Sequence, residues 1–317
     1  MAKASTSKRP PVRRRPGAPA RTAVAARPAG VRGWIGAARP RTLPLAIAPV
    51  ALGTAAVWAQ RLEGTYWLAF LALAVALLLQ VGVNFANDYS DGIRGTDRYR
   101  VGPARLTASG GAKPRTVLVA AIVCFVLAGV AGLVIVVVTQ QWWLLAVGAV
   151  AIAAAWFYTG GKRPYGYAGF GEIAVFLFFG VVATVGTSFV IAGVVTAESW
   201  FCALAIGCIA SAVLVVNNLR DIEQDAAAGK RTLSVRIGSR GSRILFGILM
   251  AIPFLVVGYL TVFYPLAPLV FLVLLLAVPA VLITATAKTA RELISALSLT
   301  GITALVYGLG LAAALSF

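Results

Sequence analysis

Ten acidic residues occur in a chain of 317, and six of them fall in two short windows: Asp88, Asp91 and Asp97, then Asp221, Glu223 and Asp225. In the first window Asn84, Asn87, Asp88 and Asp91 stand at i, i+3, i+4 and i+7, the spacing that brings side chains onto one helix face. Asp97 follows Gly92 and Gly95, so it is expected to fold back from a turn beyond the helix end. The second window repeats the device with Asn217, Asp221 and Asp225 at i, i+4 and i+8. Carboxylates and amides suit a hard cation, and Mg2+ is usually held by one or two carboxylates together with substrate phosphates. A basic, Gly-rich segment follows each window, with Arg105 and Lys113 in the first and Lys230 and Arg231 in the second, able to close over an anion. A third such segment, Tyr158 to Tyr167, sets Lys162 and Arg163 beside aromatic rings, a setting for a planar anionic acceptor. The chemistry implied is metal-assisted handling of a diphosphate.

Other chemistries are excluded by what is missing. The chain has no His, which removes His-dependent triads, His-ligated zinc and imidazole bases. Its three Cys lie singly inside apolar runs and have no metal or redox spacing. Gly229 and Lys230 do not form a Walker loop, because Arg231 follows the lysine and Gln224 stands at the upstream glycine position. Gly166, Gly169 and Gly171 have the wrong spacing for a dinucleotide fold.

The elements that must carry these residues are membrane helices. The chain is 60% hydrophobic and 12% charged, which no solvated exterior accommodates. Nine apolar stretches are long enough for transmembrane helices, near 43–59, 66–86, 116–138, 142–158, 172–196, 200–216, 244–263, 267–287 and 293–316. Of 28 Lys and Arg residues, all but Arg61 fall in the N-terminal segment or in the connections after spans 2, 4, 6 and 8. Basic connections stay in the cytoplasm, so the expected N-terminus is cytoplasmic, the C-terminus external, and both acidic windows face the cytoplasm. Trp58, Trp67, Trp142, Trp143 and Trp200 fall at the expected outer ends, as an aromatic belt requires. The net charge of +18 thus reports topology and lipid contact. Nothing in the pattern supports nucleic-acid binding, which is not expected. Residues 1–34, rich in Arg, Pro and Ala and without acids, are expected to form a disordered basic cytoplasmic tail, and residues 35–317 the membrane domain.

The stretches NFANDYSDGIRGTD (84–97) and NNLRDIEQDAAAGKRTL (217–233) resemble the two signature motifs of the UbiA prenyltransferase superfamily. RVGPARLTASG (100–110) and YTGGKRPYGYAGFGE (158–172) further resemble the branch that prenylates 1,4-dihydroxy-2-naphthoate in menaquinone biosynthesis. The resemblance implies an all-α integral membrane bundle of nine helices in a bacterial cell membrane, with its active site facing the cytoplasm. It implies a polyprenyl diphosphate donor and Mg2+, two ions by analogy, with decarboxylative transfer to the naphthoate ring. Asp88, Asp91, Asp221 and Asp225 would then hold metal, with Asn84, Asn87 and Asn217 as amide ligands or orienting partners. Asp97 would serve metal or acceptor deprotonation. Arg105, Lys162, Lys230 and Arg231 would hold diphosphate or carboxylate, and Tyr158 would line the acceptor pocket.

Three alternatives are weighed against this. Asp88, Asp91 and Gly92 begin like the motif of CDP-alcohol phosphatidyltransferases, which then breaks at Gly95 and Thr96. A cation-coupled transporter needs polar groups through the full membrane thickness, whereas these acids crowd one leaflet. Within the superfamily, 4-hydroxybenzoate is the competing acceptor.

Overall fold

The computed structural model describes residues 28–96 and 105–317, and among them every regular element is helical. Seven helices are long and apolar enough to cross a bilayer. A bent pair joined at 46°, Val31–Thr42 with Pro44–Ala59, passes the same test together, and Leu144–Phe157 is apolar but has only 14 residues. In chain order we label α1 (Val31–Ala38), α2 (Pro44–Ala59), α3 (Leu68–Arg94), α4 (Pro114–Thr139), α5 (Leu144–Phe157), α6 (Gly171–Ala192), α7 (Ala197–Arg220), α8 (Ile222–Ala227), α9 (Leu233–Leu260), α10 (Ala267–Thr286) and α11 (Ala290–Ser316).

The helix boundaries have local causes. Pro40 bars Arg39 from the right-handed helical region; Arg39 takes φ 54° and ends α1. α3 runs well past the expected end at residue 86 and stops at Gly95, whose φ of 71° turns its N–H back onto the Asp91 and Gly92 carbonyls. At about 1.5 Å per residue its 27 residues exceed the hydrocarbon thickness. Its polar C-terminal turns are the excess. α9 begins at Leu233 instead of near 244, because a short polar helix precedes the apolar one across a kink at Gly238 (φ 73°, ψ 174°). Thr289 and Glu292 form a reciprocal capping box at the start of α11.

α7 is the central column, with 78% of its most apolar window buried, against 28% for α4. Around it lies the main apolar core, where Phe246 of α9, Tyr307 of α11 and Ile206 of α7 are fully buried. α6 crosses α7 at Gly180 and Gly207, where an added methyl group on Gly180 would lie 2.7 Å from the Gly207 Cα. Phe176–Val182 inside α6 is π-helical. That one wider turn aims Phe178, Phe179 and Val182 at an internal cavity. The outer face of α4 is apolar and exposed at Val119, Val126, Val130 and Val137, as a lipid-facing surface must be.

The connections sort to two ends. At one end lie the segments after α3, α5, α7 and α10. At the other lie those after α2, α4, α6 and α9, with Trp58, Trp67, Trp142, Trp143 and Trp200 about half exposed. Ala29 donates to the Gly111 carbonyl at the first end (2.7 Å), and Trp58 Nε1 donates to the Ser316 carbonyl at the second (3.2 Å). The described chain therefore starts and finishes at opposite ends of the bundle. The expected tail falls mostly on residues 1–27, outside the described residues. Within the described residues α1 begins at Val31, and Trp34 packs edge-on against Phe85 at 5.7 Å. No apolar run announces this short helix in the sequence.

Candidate active site

The polar ends of α3 and α7 meet at the basic end of the bundle around a cavity of about 90 Å³. Asp91 is its hub and is 4% exposed. Its Oδ1 accepts from the Tyr167 hydroxyl, from Thr96 Oγ1 at 3.3 Å and from Lys230 Nζ at 3.4 Å, while Arg105 lies 3.8 Å from Oδ2. Lys230 Nζ is also 3.5 Å from Asp225 Oδ1 and 4.5 Å from the Tyr167 ring centre. One cationic point thus stands between carboxylates from the two sequence windows. Asp221, at the break between α7 and α8, receives a two-pronged bond from Arg220 (2.8 and 2.6 Å), and the same guanidinium donates to Asn217 Oδ1 at 3.0 Å. Asn87 Oδ1 accepts from Thr159 Oγ1 at 2.6 Å.

Tyr167 is held at this hub by its backbone as well, since its carbonyl accepts from the Arg231 N–H at 2.8 Å. Burial, then the Asp91 charge and the hydrogen bond to it, push its phenol above the ordinary value, and burial pushes Tyr165 up to about 12. Tyr167 is therefore a neutral donor at physiological pH. Arg94 donates to the Thr159 and Gly161 carbonyls and covers the Tyr167 ring at 5.6 Å, which ties the 158–170 connection to the end of α3.

A second cavity of about 790 Å³ opens from the first, and Arg39, Asn87, Arg105, Tyr158 and Asn217 line both. Its walls are otherwise mostly apolar, from Leu45, Val75, Leu79, Val136, Phe178 and Val213 among others. A ligand filling both has a compact anionic head and a long apolar body.

Not every expected residue belongs to the polar cavity. Asp88 is fully buried, and its two oxygens accept the backbone N–H groups of Leu106 (2.9 Å) and Thr107 (2.8 Å). Its carboxylate anchors the loop that carries Arg105, and Gly92 lets Thr107 seat against α3. Both oxygens of Asp88, which the resemblance assigns to metal, thus accept backbone N–H groups here. Asn84 donates to the Ala38 carbonyl (2.9 Å) and to Thr42 Oγ1 (3.2 Å), so it fastens the bend after α1 and lines the larger cavity only. Lys162 and Arg231 have exposed side chains and line neither cavity. Asp97 lies outside the described residues. Asp91, Asp221, Asp225, Asn87, Asn217, Arg105, Tyr158 and Lys230 are brought together around the polar cavity.

Comparisons with known proteins give the chain's family and fold. Residues 46–296 match the model of the UbiA prenyltransferase family. A 1,4-dihydroxy-2-naphthoate octaprenyltransferase of Mycobacterium tuberculosis is 51% identical over 289 residues, covering 90% of this chain and 97% of its own. The chain belongs to the UbiA prenyltransferase family. Its fold is likewise that of solved UbiA homologs at 15% identity: one from Aeropyrum pernix K1 (TM-score 0.63, covering 83% of this chain and 96% of its own), and one from Archaeoglobus fulgidus bound to DMAPP and Mg2+ (TM-score 0.57, 89% and 99%).

The UbiA site fits a divalent cation on its own chemistry. Among the described residues no three acids cluster closely enough to cage an ion alone. Asp91 and Asp225 nevertheless flank one cation, the Lys230 ammonium, and the buried Gln224 Oε1 beside them has no hydrogen-bond partner. Two carboxylates completed by substrate phosphates are what Mg2+ requires. Sequence reasoning missed Arg39, Thr159, Tyr167, Gln224 and Thr232, all on the polar cavity. Tyr167 and Thr159 lie in the 158–172 segment already singled out, and their polar groups beside its cations were the available signal.

Proposed function

We propose that this protein transfers a polyprenyl group from polyprenyl diphosphate to 1,4-dihydroxy-2-naphthoate, with loss of CO2 and diphosphate, to give demethylmenaquinol. The observation that carries the donor half is the joining of a small charged cavity to a large apolar one at Arg39, Asn87, Arg105, Tyr158 and Asn217. The acceptor half is supported by the match to the Mycobacterium tuberculosis enzyme over almost its whole length.

In this reading Asp91 and Asp225, with Asp221 and Asn217 beside them, would hold Mg2+ next to the diphosphate. The metal, as one ion or two, supplies Lewis-acid stabilisation of the departing diphosphate. Lys230 and Arg105, which contact Asp91, turn to the phosphate oxygens and balance the charge that develops there. The allylic carbon then lies at the junction of the cavities, against Tyr158. The naphthoate carbon bearing the carboxylate attacks it, the carbon–carbon bond forms, and CO2 leaves in place of a ring proton. The apolar walls exclude water, which would otherwise capture the allylic carbocation left when the C–O bond breaks and its electron pair departs with diphosphate.

The nine-span arrangement, counting the bent pair α1–α2 and the short α5 as spans, belongs to the same proposal. So does a cytoplasmic site in a bacterial cell membrane, supported by the basic residues gathered at the site end. Acceptor competition tests the reading. Membranes containing the protein, given geranylgeranyl diphosphate and Mg2+ with equal 1,4-dihydroxy-2-naphthoate and 4-hydroxybenzoate, are expected to prenylate the naphthoate. Preference for the benzoate refutes the acceptor assignment and leaves the donor site standing.

A further inference from the structure

Glu172 is a buried acid that the proposed chemistry does not use. It sits in the first turn of α6, is 6% exposed, and lines neither cavity. Its Oε1 accepts from Asn218 Nδ2 at 2.9 Å, both groups being buried, while its Oε2 is buried without a hydrogen-bond partner. The Ser211 hydroxyl of α7 donates to the Glu172 backbone carbonyl at 3.1 Å, which fixes the turn from which the acid projects. Asn218, one residue beyond Asn217, lines the polar cavity together with Asp221 and Asp225.

A side-chain amide carries a donor and an acceptor on opposite arms, and a carboxylate can only accept. Glu172 therefore selects which arm of Asn218 turns inward and leaves the carbonyl arm for the cavity. A buried acid with one satisfied oxygen is costly to retain for packing alone, since an apolar residue of like volume avoids the desolvation. The cost is explained if the orientation it enforces matters. We propose that Glu172 is a positioning residue that holds the Asn218 carbonyl oxygen toward the metal-diphosphate head group. The proposal rests on the diphosphate reading above. Asn218 supplies an oxygen to the cation, directly or through a bound water, and Glu172 supplies the constraint, as outer partners of metal ligands generally do.

The test uses the full chain in detergent, with Mn2+ as the probe and inorganic pyrophosphate at fixed concentration, free Mn2+ being read by electron paramagnetic resonance. Glu172→Leu and Asn218→Ala are each expected to weaken Mn2+ binding by about tenfold or more. The double variant should be no weaker than Asn218→Ala, because both remove one device. Glu172→Gln keeps an acceptor for the amide and should stay within about threefold of the native protein. Thermal unfolding of each variant without metal separates this from a structural role, which would lower Tm while leaving affinity intact in the folded fraction. Native affinity in Glu172→Leu, or losses that multiply in the double variant, overturn the proposal. Asn218→Ala keeps it refutable should Leu at 172 prevent folding, since native affinity there overturns it equally. A native protein that binds no Mn2+ with pyrophosphate sinks the diphosphate reading itself, whereas native binding unaltered by the variants removes only the role of Glu172.

Discussion

Replacing Asp88 by Asn should loosen the 105–112 loop before it does anything to metal binding. Asp88 has no exposed surface, and its two oxygens accept the N–H groups of Leu106 and Thr107 at 2.9 and 2.8 Å. Hydrogen bonds to a charged acceptor contribute about 1.5–3 kcal/mol each, and a buried donor left without one costs about 1–3 kcal/mol. Asn keeps one acceptor oxygen and turns an NH2 toward the other N–H, so one bond is lost and two donors face each other in a dry site. The expected cost is about 2–4 kcal/mol, which raises the local opening equilibrium of the loop about 30- to 900-fold. Amide hydrogen exchange of peptides spanning 105–112 reads this directly, because the Leu106 and Thr107 amides exchange only when the loop opens. The KM for prenyl diphosphate should rise with it, since Arg105 rides on the same loop. Unchanged exchange at 105–112 together with abolished Mn2+ binding would refute the reasoning and return Asp88 to the metal.

The remaining expectations are of different kinds. Asp91→Asn and Asp225→Asn should each lower kcat by about a hundredfold or more in single-turnover assays, with the far-ultraviolet circular dichroism of the helical bundle unchanged; retention of more than a tenth of kcat in both would place the cation elsewhere. Chelation should abolish turnover and Mg2+ restore it, while Tm shifts by less than about 2 °C, because Lys230 and Arg220 already pair these carboxylates without metal. Full turnover after exhaustive chelation contradicts this. Deleting residues 2–27 should leave activity intact, whereas deleting 2–30 removes the Ala29 bond to Gly111 and should lower activity several-fold; equal activity of the two truncations would show that the contact is dispensable.

The helical period made the first site face legible in the sequence. Asn84, Asn87, Asp88 and Asp91 are all buried on one side of α3, as their spacing requires. Which of them meets a ligand was not legible. Asp88 is claimed by backbone N–H groups that return from the far side of a loop, and Asn84 by the bend after α1, and neither partner is encoded in the local period. Charge alone also misled in the 158–170 connection. Lys162 is exposed on its tip, while the neutral Tyr167, placed by the 3-10 turn of Tyr165–Ala168, reaches Asp91. The polar start of α9 escaped detection because hydropathy reads only its apolar part beyond Gly238. Apolar run length did locate the seven helices long and apolar enough to cross a bilayer, since the hydrocarbon thickness sets a minimum length for a crossing helix.

The central claim is decarboxylative prenyl transfer at a joined polar and apolar site, and one stoichiometry tests it most directly. The purified protein is given 1,4-dihydroxy-2-naphthoate labelled in its carboxyl carbon, a polyprenyl diphosphate and Mg2+. Labelled CO2 and diphosphate are measured against prenylated product. One CO2 and one diphosphate per product, with no label left in the product, is the expected result; a prenylated product that retains the labelled carboxylate contradicts the account.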